Sequence, residues 1–329
     1  MKADIISVKV EEEEDRVAMA SIKMNLWDRF RQRINQEYLT QFQLGTPLEV
    51  AVGINQASLI FTGEVTALEP SFGSGDEGGD MLTILAYNRL YRLTFGTEQR
   101  TFQNVTYSEI ASKIADEAGL TAKVEDTVTR QEHVTQDNVN NLCFLLNLKP
   151  SNYELKVEDK TLFFRTTREQ TAPVVTLAYR RDLLSFAPRQ RAVPEGGKVE
   201  VHGWDMKAKK RILGTAGAGD EASKMGGSKT GAEISAAAFA PSTRTITGEL
   251  VIDADEAQRI ARACYNRQQR DFVEADGECA GTPAIRVGET IEITEIGKSF
   301  SGIYYVTSAT HTVGADGYRT SFKVRRNAV

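Results

Sequence analysis

FSGIYYVTSATHTVGADGYRTSFKVRR, residues 300–326, reads as two strands joined by one turn. In its second strand Tyr318, Thr320, Phe322 and Val324 alternate with Arg319, Ser321, Lys323 and Arg325, so one face is apolar and the other wet. The same layout stands near the start of the chain. FTGEVTALEP begins at Phe61, the Gly/Asp-rich SFGSGDEGGD follows, and MLTILAYNRLYR begins at Met81. Outward from these strands the agreement continues. Gly45-Thr46-Pro47-Leu48-Glu49-Val50 answers to Gly288-Glu289-Thr290-Ile291-Glu292-Ile293, Phe61-Thr62-Gly63 to Phe300-Ser301-Gly302, and Val65-Thr66-Ala67 to Val306-Thr307-Ser308. Any antiparallel meander shows some of this alternation. The shared order of Gly turn, alternating strand, Phe-hydroxyl-Gly and Gly/Asp turn favours duplication. Met81, Leu82, Ile84, Leu85 and Tyr87 put apolar residues on both faces of one strand, which predicts cover on both sides.

The expected fold class is mainly β with an α+β insertion: two similar small β-barrels, over 1–100 and 173–329, flanking an α+β domain at 101–172. Closure into barrels would protect strand edges. In the insertion, Thr106 and Glu109 have capping-box spacing, Ile110, Ile114 and Ala118 keep helical period, and Gly119 ends the helix. A second helix near 139–148 stops at Pro150, and YELKV and TLFFR form a hairpin. From about 206 to 248 the chain is rich in Gly, Ala, Ser, Thr and Lys, which predicts a long flexible loop. Asp253 then caps a helix over about 254–270 with Ala257, Ile260, Ala261, Cys264 and Tyr265 on one stripe.

The 329 residues carry a net charge of −5 with both signs scattered, which argues against a nucleic-acid coat or an anionic-membrane binder. The acidic residues in MKADIISVKVEEEED stand where a signal peptide would have its apolar core, so the protein is expected to be made in the cytoplasm. Cys143, Cys264 and Cys279 are odd in number and far apart, as reduced small hydrophobes would be.

No chemistry is written in a recognisable pattern. His133, His202 and His311 have no histidine three or four residues away, and Cys264 and Cys279 form no CxxC. Gly297-Lys298-Ser299 lacks the earlier glycine of a P-loop, since position 292 is Glu. Gly217 and Gly219 lack the third glycine of a dinucleotide site. Asn104-Val105-Thr106 matches a glycosylation acceptor, but its Thr reads better as a helix cap. The acidic run Glu11 to Asp15 reads as a solvated edge. The expectation is a non-enzyme with no catalytic, cofactor-binding or metal site.

Several long segments resemble the phage late control D family: MLTILAYNRLYRLTFG, RTFQNVTYSEIASKIADEAGL, VEVHGWDMKAKKRILGTA, DFVEADGECAGTPAIRVGETIEI and SGIYYVTSATHTVGADGYRTSFKVRR, in the family's order over nearly the whole chain. The departure lies in DNVNNLCFLLNLKPSNYELKVEDKTLFFR, where Asn140, Asn141 and Asn147 stand in place of the usual Leu/Trp-x-Phe-Leu stretch and an arginine. The resemblance implies the baseplate hub of a phage tail, type VI secretion system or extracellular injection particle. It implies a homotrimer that meets a tail tube or tube-initiator protein on one side and a spike on the other, with baseplate wedge proteins as further neighbours and no direct nucleic-acid or membrane binding. The spike would be a separate chain or a continuation beyond Val329. Three chains with two tube-like units each would offer six quasi-equivalent positions to a six-fold tube. The competing reading is a tail-tip module that binds or hydrolyses cell-wall glycan.

Overall fold

A computed structural model describes residues 4–28, 30–53, 57–73, 79–195, 197–205, 208–247 and 251–329. The chain opens with β1 (Ile5–Glu13), β2 (Met19–Asn25), the short pair β3 (Trp27–Asp28) and β4 (Arg33–Ile34), and helix α1 (Gln36–Gln41). It continues through β5 (Pro47–Val52), β6 (Ser58–Ser71) and β7 (Met81–Tyr87). Most of the glycine-rich turn expected between the last two lies outside the described residues.

A 3-10 turn, Arg89–Thr94, leads into the insertion: β8 (Glu98–Val105), α2 (Tyr107–Glu117), β9 (Thr121–Val124), β10 (Gln131–Val139), α3 (Asn141–Leu148), β11 (Tyr153–Glu158) and β12 (Thr161–Thr166). Thr106 and Glu109 form the expected reciprocal cap on α2, and Gly119 ends it at φ +69°. The unexpected asparagines have local work. Asn140 accepts from the Cys143 N–H at 2.8 Å and caps α3, while Asn141 accepts from Arg100 Nη2 at 3.0 Å. Leu90 and Leu93, expected in the first β unit, pack instead into the core of the insertion with Phe102, Ile114 and Phe164.

The rest comprises β13 (Thr176–Ala178), β14 (Leu183–Gln190), β15 (Lys198–Asp205), β16 (Lys210–Gly217), α4 (Gly231–Ala238), β17 (Thr243–Ile246), α5 (Ala254–Gln269), β18 (Val273–Ala280), β19 (Thr290–Thr294), β20 (Gly302–Gly314) and β21 (Gly317–Arg326). The molecule is mainly β, with the α+β insertion between its two β units. The two units do not form separate closed barrels among the described residues. Their strands make one sheet in the order β14-β18-β21-β20-β1-β2-β7-β6-β5, with β19 beside β20 and β13 parallel to β19. β1 pairs across to β20 of the other unit, so the strand that could have closed the first unit joins the two.

The segment expected as a flexible loop holds β16, α4 and β17. β15, β16 and β17 form a small sheet covered by α5, with Val199, Val201, Ile212, Ala257, Ala261 and Tyr265 in its core. Its glycines permit close packing. A Cβ on Gly214 would stand 2.2 Å from the backbone carbon of Ala257, and one on Gly231 2.5 Å from the Phe272 ring. Low side-chain volume is here a condition of contact between backbones, not a sign of missing core. Gly214→Val is therefore expected to cost about 3 kcal/mol through overpacking. Gly217→Ala, where the nearest non-neighbouring atom lies 3.6 Å away, is expected to change stability little. Urea unfolding midpoints compare the two, and equal midpoints would mean that β16 is not seated on α5.

Candidate assembly interface

The two β units are copies in hydrogen-bond detail. Strands β1-β2-β7-β6-β5 run in the same order as β14-β18-β21-β20-β19. Gly45 and Gly288 both turn at positive φ, +83° and +89°. The Gly45 N–H donates to Val65 O at 2.8 Å and the Val65 N–H to Thr46 O at 2.9 Å. In the second copy the Gly288 N–H donates to Val306 O at 3.1 Å and the Val306 N–H to Glu289 O at 2.9 Å. One residue past each valine the register slips, between Val65 and Ala67 and between Val306 and Ser308. The extra residue is a threonine both times: Thr66 Oγ1 donates to Leu85 O at 3.3 Å, and Thr307 Oγ1 to Lys323 O at 3.2 Å. The opening strands share a second slip, between Ile5 and Ser7 beside Met24 and between Leu183 and Ser185 beside Cys279. Ser7 is thus equivalent to Ser185, and Val65 to Val306.

One sequence correspondence shifts. With the valines superposed, Leu48 opposite Gly63 matches Ile291 opposite Tyr304, so Phe61 falls on Gly302, not Phe300. Gly63 is small because Tyr87 O and the Phe61 ring would lie within 3 Å of a Cβ. Gly302 is small because it sits at φ +139° against the Arg326 guanidinium. The two Phe-hydroxyl-Gly triplets are alike in letters and serve different contacts.

β1 and β20 form the seam between the copies, from Val8 opposite Val313 to Glu13 opposite Ser308. At its end the acidic run becomes a clasp. Glu12 accepts from Arg286 Nε at 2.8 Å, and Glu14 accepts from Arg325 at 2.6 and 3.0 Å. Arg325 also reaches Glu169 at 3.7 Å, Glu169 pairs with Arg270 at 2.9 Å, and Asp15 pairs with Lys149 at 3.0 Å. Within the insertion, Arg165 pairs with the buried Glu154 at 2.7 Å, and Tyr305 OH donates to Glu154 at 3.3 Å. Burial opposes the charged form of Glu14, but the charge and hydrogen bonds of Arg325, with Arg270 and Lys149 behind, hold its carboxyl below the usual range. These residues lock the insertion and both copies together. The run, which reads as a solvated edge in the sequence, is instead a set of partly buried ion-pair partners. The available signal was the alternation itself, since Glu12 has the parity of the buried Val10.

The remaining singled-out residues scatter. His202 lies beside Glu200 at 3.1 Å and Arg211. His311 is buried: Nε2 donates to Ile285 O at 3.0 Å, while Nδ1 meets Tyr318 OH at 2.8 Å and Thr320 Oγ1 at 3.1 Å. Burial pushes its pKa down, assisted by Arg286, although Glu12 and the carbonyl act the other way. Cys143 is exposed, Cys264 half-buried and Cys279 buried, none of them in a disulfide. Gly297 turns at φ +86° between β19 and β20, as a hairpin glycine does. Among the described residues no three His, Cys, Asp or Glu side chains are grouped to hold a metal ion, and no helix is long and apolar enough to cross a membrane. In β7, Leu82, Ile84 and Ala86 are buried and Met81, Leu85 and Tyr87 half-buried, so the second face is partly covered.

The fold is shared with known proteins. The model described as the Alg8 N-terminal domain matches residues 1–315. The chain belongs to that family. No curated protein sequence matches it. Among solved structures, this family member resembles the 43 kDa tail protein of prophage MuSo2 from Shewanella oneidensis, at 13% identity over 98% of this chain and 94% of that one, with a TM-score of 0.70. It also resembles the tail protein of Neisseria meningitidis MC58, at 10% identity over 98% and 92%, TM-score 0.67. A third likeness is to a type VI secretion component of E. coli, itself described as similar to bacteriophage T4 tail proteins, at 13% identity over 99% and 74%, TM-score 0.61. The fold of the family member is the fold of these tail proteins.

The clasp and His311 predict a stability profile with two acid steps. His311 has a lowered folded pKa, so its contribution is whole above its ordinary 6.5 and is lost as pH falls from there to the folded value. Glu14 is also lowered, so its contribution is whole above 4.5 and is lost as pH falls through its folded value. Urea midpoints between pH 8 and pH 3 should show both steps. His311→Gln should flatten the upper step and Glu14→Gln the lower, while Arg325→Met should cost about 3–5 kcal/mol at pH 7 by stranding buried carboxylates.

Proposed function

We propose that this chain is a structural baseplate hub of a phage tail or contractile injection particle, of the late control D kind, and that it works as a homotrimer without catalysis. The observation that carries the reading is the duplication. Two units with the same strand order, the same two register slips and the same threonine bond give each chain two surfaces alike in backbone form. Three such chains present six, which lets a three-fold body meet a six-fold tube through one type of contact. The tail-protein fold and the sequence resemblance support the same role.

The sheet has a face suited to a channel wall. Lys9, Glu11, Lys23, Asp276, Glu278 and Lys323 lie on its wet side, opposite the face that packs on the cores. Signs are mixed and partly paired, as in Lys9–Glu11 at 2.7 Å and Arg319–Glu278 at 3.1 Å. Such a wall lacks the one-signed field that would hold a charged polymer. The tube protein meets one end of this ring and the spike the other. The protein is made in the cytoplasm and acts within the particle.

Native mass spectrometry of the purified chain tests the reading. A species of three times the 36.3 kDa chain mass is expected, and it should nucleate rings of the tube protein supplied in excess. A monomer at every concentration that leaves tube assembly unchanged would contradict it.

A further inference from the structure

Each copy opens with an edge strand, β1 or β14, and each carries a long strand, β6 or β20, whose far half runs past its neighbour. Inside the chain one edge already meets one far half: β1 lies along residues 308–313 of β20. The equivalent pieces left over are β14, whose ladder among the described residues is with β18 apart from one bridge between Leu183 and Tyr179, and residues 68–71 of β6, which among the described residues pair with β7 alone. They lie toward opposite ends of the sheet path, and among the described residues they are not paired with each other. We propose that they meet between chains, β14 of one copy against the far half of β6 in the next, in the register of the in-chain seam. This rests on the hub reading, which supplies the closed ring.

Transferring the register places Phe186 opposite Phe72, Arg189 opposite Glu69 and Pro188 opposite Pro70. Phe72 is 63% exposed. Its equivalent, Val313, is partly buried against the first core behind the seam, so the next chain would cover Phe72 as β1 covers Val313. Arg189 and Glu69 bring opposite charges together on the wet face. The prolines fix the character of the joint. The Glu14 N–H donates to Thr307 O at 2.9 Å, which by the two-residue period puts Val10 and His311 in a hydrogen-bonded pair. Pro188 and Pro70 are their equivalents and have no N–H to give. The Arg191 bond to Phe272 O and the Asn88 bond to Ala18 O set the alternation that points both proline nitrogens at the open edges. The inter-chain joint is therefore interrupted at its centre, held by side chains, and easier to open than the in-chain seam. The same prolines deny these edges to stray strands. The contact is head-to-tail, so it generates a ring and not a two-fold pair.

Paired cysteines test this in a Cys143→Ser background. Arg189 and Glu69 form a non-hydrogen-bonded pair, whose close Cα atoms suit a disulfide. Chains with Glu69→Cys alone and Arg189→Cys alone should stay unlinked separately and link on mixing. The double variant should give covalent closed trimers, and Ser71→Cys with Arg189→Cys should not. Linking within one single variant, or none on mixing while the native trimer persists, would overturn the joint and leave the hub reading standing. Absence of any trimer, wild type included, would remove both. Pro70→Thr with Pro188→Thr restores two donors and should slow subunit exchange about tenfold; unchanged or faster exchange would overturn the role given to the prolines.

Discussion

The pairing of β1 with β20 is the constraint on which the rest of this molecule depends. It takes the first strand of one copy and makes it the continuation of the other copy's sheet. The twist and register of that contact set how the two copies face one another. They also decide which edges remain open and which face of the sheet becomes a continuous wet surface. An inter-strand ladder is directional and specified to the residue wherever one face is buried, because a slip by one would turn Val8 and Val10 out of the core and Lys9 into it.

The clasp is the second half of that constraint. Ion pairs at a surface stabilise little, but Arg325, Arg270, Glu154 and Glu169 are largely removed from water, and such groups tolerate no loss of a partner. Glu12, Glu14 and Asp15 leave β1 and reach three places at once: Arg286 before β19, Arg325 on β21, and Lys149 beyond α3. The insertion is thereby fixed to the seam. Its core, built on Leu90, Phe102, Ile114 and Phe164, is separate from the cores of the two copies, with Val17 of the first copy packed against it.

The duplication was legible because its anchors are backbone requirements. Gly45 and Gly288 must turn at positive φ, and Val-Thr must supply a buried side chain followed by a bulge with a hydroxyl. Phe-hydroxyl-Gly misled because glycine is demanded at Gly63 and Gly302 for different reasons, one steric and one conformational. The α2 capping box, the Asp253 cap and the α5 stripe were legible because helical period and caps are local. What was not legible is long-range. The glycines of 206–248 looked like slack until Gly214 was seen against Ala257. The acidic run looked solvated until Arg286 and Arg325, more than 270 residues away, came into reach. Separate barrels were expected because alternation within each copy says nothing of where β1 finds its second partner.

Native-state hydrogen exchange on the seam tests the account most directly. The amides of Val8, Val10 and Glu12 face β20, so in a single cooperative sheet they open only with the global unfolding that releases Ala20 and Ala86. Equal protection of the two sets, falling together with added denaturant, is the result predicted. Seam amides that exchange much faster than Ala20 and Ala86, with no dependence on denaturant, would show two separately folded units in loose contact and would contradict it.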